Sequence, residues 1–148
     1  MVKTPVWFLV ALIPEVAEGE ESRPLTYAAY PWPLLAVRFA VECFMWAGWY
    51  LLGNEWFGIP GGIVAVILCM VLWGVFGVRR DGVRKDPPVE IPGAPRFALE
   101  IVLIAIGGWG LWIGWNRAAA ETYLTAAVIT NALMWERCWW LLRGASDA

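Results

Sequence analysis

Histidine is absent from the 148 residues. That removes the commonest metal ligand, the usual near-neutral proton carrier and the commonest axial ligand for haem. It also excludes any nucleophile–His pair, and Ser22 and Ser146 lie in the tails. There is no P-loop and no dinucleotide fingerprint. Charge is scarce: charged residues make up 16% and hydrophobic ones 60%, against about 25% and about 45–50% in soluble proteins. A net charge of -2 with no basic stripe excludes a nucleic-acid partner. Cys43, Cys69 and Cys138 form no CxxC and fall within apolar runs. They read as small buried hydrophobes, with a disulfide or metal site as the alternative. No catalytic residue, metal or cofactor is expected, and paired carboxylates alone do not make this chain an enzyme.

What the sequence does hold is apolar runs near the roughly 20 residues that cross a bilayer. Spans are expected at about 34–52, 61–78, 96–115 and 119–142. Gly53, Asn54 and Gly58 read as a tight turn between the first two, and Pro60 suits a first helical position. The stretch 79–95, with Arg79, Arg80, Arg84, Lys85 and four prolines, reads as a polar loop. Asn116 suits the cap of the last span. The expected fold is therefore all-α: an integral membrane four-helix bundle over 34–142, with a short tail at 143–148. Residues 1–33 read as an interfacial, acidic extension. Val6 to Ile13 is apolar but too short to span, Pro14 ends it, and Glu15, Glu18, Glu20 and Glu21 follow. A signal sequence is the alternative, without an A-x-A cleavage pattern to support it. Tyr27, Tyr30 and Trp32 are expected at headgroup level.

A short phrase occurs twice: Arg38-Phe39-Ala40-Val41-Glu42 and Arg96-Phe97-Ala98-Leu99-Glu100. Each opens an apolar run, with Arg and Glu one helical turn apart on one face. The two copies suggest a duplicated helical hairpin around a pseudo-twofold axis along the membrane normal. If the loop at 79–95 is cytoplasmic, both termini are too. All but Arg117 of the 11 Lys and Arg then lie on or near that side, a positive-inside bias that places the protein in a bacterial inner membrane.

Placed by depth, Arg38, Glu42, Arg96, Glu100, Glu136 and Arg137 share the inner third. Glu100 lies about 6 Å deeper than Arg96, and Asn131 about 7 Å above Glu136 and Arg137. Three carboxylates and three guanidiniums cancel. Two readings stay open: an ion-paired lock that fixes helix register, or a polar cavity where Glu42 and Glu100 bind a proton or cation. Contact with a larger partner is a third. Gly107, Gly108, Gly110 and Gly114 let another backbone approach, inside the bundle or between two copies. Most of the 12 tryptophans suit interfacial belts. Trp46, Trp73, Trp109 and Trp135 fit that less easily, and a ligand-stacking pocket is the alternative.

Three stretches carry a family resemblance: Arg38 to Glu42 with Trp49-Tyr50, Trp73-Gly74-Val75-Phe76 before the basic loop, and Pro95 to Glu100 followed by Asn131-Ala132-Leu133. Over residues 35–142 the chain resembles the YrdB-like family of uncharacterised four-helix bacterial membrane proteins. The resemblance implies a four-helix integral membrane fold and no known activity. The extension over 1–33 and the extra Trp depart from it. The Trp count is also similar to that of the tryptophan-rich sensory proteins, in composition only. The expected role is non-enzymatic: an accessory or interaction subunit in the bilayer, or a homodimer, docking through the Trp surface and the glycine face. The alternative is a small proton- or cation-coupled transporter using Glu42 and Glu100.

Overall fold

The computed structural model describes residues 30–78, 81 and 87–143. The expectations for residues 1–29 and for the tail after residue 143 lie outside that range. Four helices carry the fold: α1 (Trp32–Val75), α2 (Gly93–Gly114), α3 (Arg117–Leu133) and α4 (Trp135–Arg143). Two short strands, β1 (Phe76–Gly77) and β2 (Val89–Glu90), pair in parallel between α1 and α2.

Helix α1 is 44 residues long but not straight. At 1.5 Å per residue Arg38 and Trp73 would lie about 50 Å apart. The Arg38 guanidinium instead sits 6.0 Å from the Trp73 ring. The reversal is at Gly58, whose φ of 67° and ψ of -169° no side-chain-bearing residue adopts easily. Pro60 follows at once, where its missing N–H costs nothing. The first arm thus runs past Leu52 to Gly58. Gly53 and Asn54, expected in the turn, are helical. Gly53 is buried, and a Cβ there would overlap the Gly61 carbonyl oxygen, so it serves close approach of the two arms.

The first arm of α1 and helix α2 lie side by side and parallel: Met45 meets Gly107, Gly48 meets Gly110, and Leu51 meets Gly114. Gly107 and Gly108 also do something a bulkier residue would prevent. Side chains tilt toward the helix N-terminus, so residue i+4 normally shields the carbonyl of residue i. With glycine at 107 and 108, the carbonyls of Leu103 and Ile104 are open to donors. Trp49 Nε1 donates to Leu103 O at 3.0 Å and Tyr123 Oη to Ile104 O at 3.1 Å. Met45, Leu103 and Leu111 complete a core with essentially no exposure.

The fourth expected span is interrupted. Asn116 caps α3 as expected, Oδ1 accepting from Ala119 N at 2.8 Å. The helix stops at Met134, with φ -102° and ψ 28°. Just before it, Thr130 Oγ1 and Asn131 Nδ2 donate to the carbonyls of Ala126 and Ala127 in their own helix, a pattern that bends helices. Met134 is fully buried with Tyr30 and Leu34. Tyr30 is therefore under the bundle's end rather than at an exposed surface, and burial pushes its hydroxyl up to about 12, so it stays neutral. Among the described residues α1 and α2, with mean hydropathies of 2.2 and 1.8, are long and apolar enough to cross a membrane.

Candidate functional site

The repeated phrases bring their charges to one place, where Arg38 faces Glu42 as expected but Glu100 is held by arginines from outside its own phrase. Glu100, with its side chain 0% exposed, is the centre. Arg38 Nη2 donates to its Oε1 at 2.9 Å across the α1–α2 contact. Arg137 donates from the other side, through Nη2 to Oε2 at 3.0 Å and through Nη1 to Oε1 at 3.4 Å. Glu42 faces Arg38 Nε at 3.4 Å and keeps 20% of its side chain exposed. Arg96 is buried with its guanidinium 4.5 Å over the Trp73 ring, a cation–π contact at the short end of the useful range. Trp73, one of the tryptophans not readily explained as belt residues, is thus shared by Arg38 and Arg96.

Two residues differ from expectation. Glu136 makes no ion pair among the described residues. The break at Met134 starts a new helix, and Glu136 lies in its first turn, where a carboxylate complements the helix dipole. Its place in the cluster is taken by Asp81. Arg137 Nε and Nη2 each donate to an Asp81 carboxylate oxygen at 2.8 Å, a fork geometry that only Arg offers. Asp81 lies in a stretch rich in basic residues and prolines, and nothing in the sequence marked it. The pairing of Gly77 with Glu90 and the Ile91 N to Gly77 O bond of 2.8 Å tie the base of that stretch to the bundle. Among the described residues three guanidiniums (Arg38, Arg96, Arg137) and three carboxylates (Glu42, Asp81, Glu100) balance.

Asn131 lines the cavity beside Glu42 and Thr130, but its amide donates to its own helix. Its Oδ1 lies 3.7 Å from Cys138 Sγ. The space inside the cavity is ≈ 10 Å³, room for about one water. The glycines expected to pack helices sit elsewhere: Gly107, Gly110 and Gly114 face the first arm of α1. Of the two readings of that stripe, packing inside the bundle or between two copies, the contacts within the chain occupy it with the first arm of α1. A Cβ on Gly110 would overlap Gly48 O, and one on Gly114 would lie 2.6 Å from Leu51 Cβ, which leaves no face for a second copy. Among the described residues no group of three or more His, Cys, Asp or Glu is placed to hold a metal.

Asp81→Asn weakens the clamp on Arg137 while leaving Glu100 in place. The expected loss is about 1.5–3 kcal/mol, the usual worth of hydrogen bonds to charged groups. Thermal unfolding in mild detergent measures it, and a melting curve identical to the parent's would show that the clamp contributes nothing.

The architecture defines an all-helical protein with two membrane-capable helices and an ion cluster buried among apolar residues. Residues 36–135 match the model for a protein of unknown function (DUF2568), and the chain belongs to that family. The match spans both repeated phrases, Trp73, Asp81 and Asn131, and Arg137 lies just beyond it. No curated protein and no solved structure matches the chain.

Proposed function

We propose that the chain is a multi-pass protein of a bacterial inner membrane, without catalytic chemistry, acting as an accessory or interaction subunit or as a homo-oligomer. The observation that carries this reading is an apolar exterior around a largely buried charge cluster. Ile63, Val64, Ile67, Leu68, Met70 and Val71 on the second arm of α1 are each 45–65% exposed. A patch of that size on a protein in water marks an interface or a lipid-facing surface. Exposed Trp56, Phe57 and Trp109 near the Gly58 turn, and Trp32, Trp135 and Trp139 toward the other end, suit belts at two interfaces. The positive-inside pattern then puts the β1–β2 end and both termini in the cytoplasm. The YrdB-like resemblance and the duplicated hairpin belong with this reading.

The cluster's role in it is to hold helix register. Glu100 is saturated by two arginines, and a cavity of ≈ 10 Å³ has no room for a hydrated cation. The carrier reading narrows to proton exchange at Glu42, the one cluster carboxylate that both lines the cavity and keeps notable exposure.

The deciding experiment is the mass of the species extracted from native membranes in mild detergent. A stoichiometric larger complex or a homo-oligomer is the expected result. A lone monomer, combined with pH-dependent ligand binding that disappears in Glu42→Gln, would replace the subunit reading with the carrier one.

A further inference from the structure

Helix α4 is joined to α3 only through the break at Met134. A residue at a helix end that departs from helical φ/ψ is the usual place for a hinge. The back-bonding of Thr130 and Asn131 supplies a local cause for the break. Across it the Cys138 thiol, a weak donor, bonds to Asn131 O at 3.6 Å. Of the nine residues of α4 only Arg137 and Leu141 are buried, one turn apart on one face. Leu141 packs against Val78, with Phe97 and Trp140 beside it. Arg137 is held by Glu100 and Asp81. The other face, Trp135, Trp139 and Leu142, is 45–55% exposed. The helix is thus seated at two points, one leucine and one shared guanidinium.

We infer that α4 is a hinged cover over Glu100: it pivots at Met134, parts from Glu100 and Asp81, and admits water to the cavity beside Glu42. Glu100, Thr130 and Asn131 all line that cavity. The carboxylate that Arg137 covers and the residues before the break therefore border the same space. Segments with few buried apolar contacts open locally before the rest of a fold does. Helix α4 is such a segment, because its departure exposes one leucine and lets water replace protein around one arginine. The first arm of α1 buries Val41, Met45, Trp49 and Leu52, and α3 buries Tyr123 along with Ala120 and Ala127, so neither can leave as cheaply. Asp81 sets the closed state. Its two oxygens fix the Arg137 fork from outside the helices, which keeps Nη2 on Glu100. The inference goes beyond the subunit reading and holds for a monomer or a complex, because the movement lies within one chain.

The test uses the full chain in lipid nanodiscs, a water-soluble carbodiimide with an amine nucleophile, and peptide mass spectrometry to locate the labelled carboxylates. Exposed Glu121 reports the reagent. A parallel maleimide reaction at Cys69, 0% exposed in the core, reports opening of the whole fold. The expected result is slow labelling of Glu100 in the parent while Cys69 stays protected. In Asp81→Asn the Glu100 rate is expected to rise about tenfold, the ratio that a loss of about 1.4 kcal/mol produces, with Cys69 unchanged. If that variant does not fold, Leu141→Val loosens the other seat and is expected to raise the same rate. Glu100 labelling that stays at the parent's rate in the folded variant would overturn the inference, since α4 would then be fixed or frayed without uncovering the cluster. So would Glu100 and Cys69 rising together, which is loosening of the whole bundle. None of these results depends on the mass of the extracted species, so the two proposals fail independently.

Discussion

Glu100→Gln destabilises the folded state by several kcal/mol. The substitution keeps the shape and removes one charge, which leaves Arg38 and Arg137 facing a neutral amide in a site with no exposure. Breaking a buried pair from one side costs about 3–5 kcal/mol, and here each arginine loses its most buried carboxylate while keeping a second one, Glu42 for Arg38 and Asp81 for Arg137. That is a large part of the total stability of about 5–15 kcal/mol of an ordinary domain. Glu42→Gln is the internal comparison. Arg38 keeps Glu100 in that variant, and the lost contact is the longer one of 3.4 Å at a partly exposed carboxylate. A much smaller drop in thermal unfolding is expected. Equal melting of the Glu100 variant and its parent would show that the cluster does not hold the helices.

Gly110→Ala and Gly48→Ala separate the first arm of α1 from α2. The added methyl group would overlap backbone in both cases: the Gly48 carbonyl oxygen for the first, the Gly107 carbonyl oxygen for the second. Neither obstacle is the end of a flexible side chain, so relief requires the helices to move apart. Overpacking of a core usually costs about 1–3 kcal/mol, and the upper end or beyond is expected here. Separation would also stretch the Arg38–Glu100 bond and the Trp49 bond to Leu103 O. Gly74→Ala is the control: a Cβ there meets nothing within 4 Å, and alanine favours helix over glycine by about 1 kcal/mol. Melting of the three variants in the same detergent reads the contrast. A Gly110→Ala protein as stable as the Gly74→Ala one would refute the close contact.

Part of the cluster was legible from the chain because charge is conspicuous in an apolar run. Arg38, Glu42, Glu100 and Arg137 stand out for that reason, and the structure brings all four together. The partners of Glu100 were not legible. A spacing of four suggests Arg96 with Glu100, since both lie on one helix face. The contact between α1 and α2 gives Glu100 to Arg38 instead, and the fold of α1 at Gly58 brings Trp73 beneath Arg96. Asp81 was invisible because a carboxylate among basic residues and prolines looks like any solvated loop residue. Glu136 misled because it shares a layer with Arg137 but not a helix face, since neighbouring residues point about 100° apart.

The sequence by itself determined the helical character, the apolar surface of α1 and α2, the reversal near Gly58 and Pro60 and the Asn116 cap. These are local or compositional properties: propensity, hydropathy and backbone freedom. Only the tertiary structure decided that the glycine stripe of α2 is filled by α1, that Arg137 rather than Arg96 completes Glu100, and that Asp81 closes the cluster from outside the helices. Each of those depends on which surfaces meet and at what register. A shift of one residue turns a helix face by about 100°, so Glu136 lies on a different face of α4 from its neighbour Arg137, which reaches Asp81 instead.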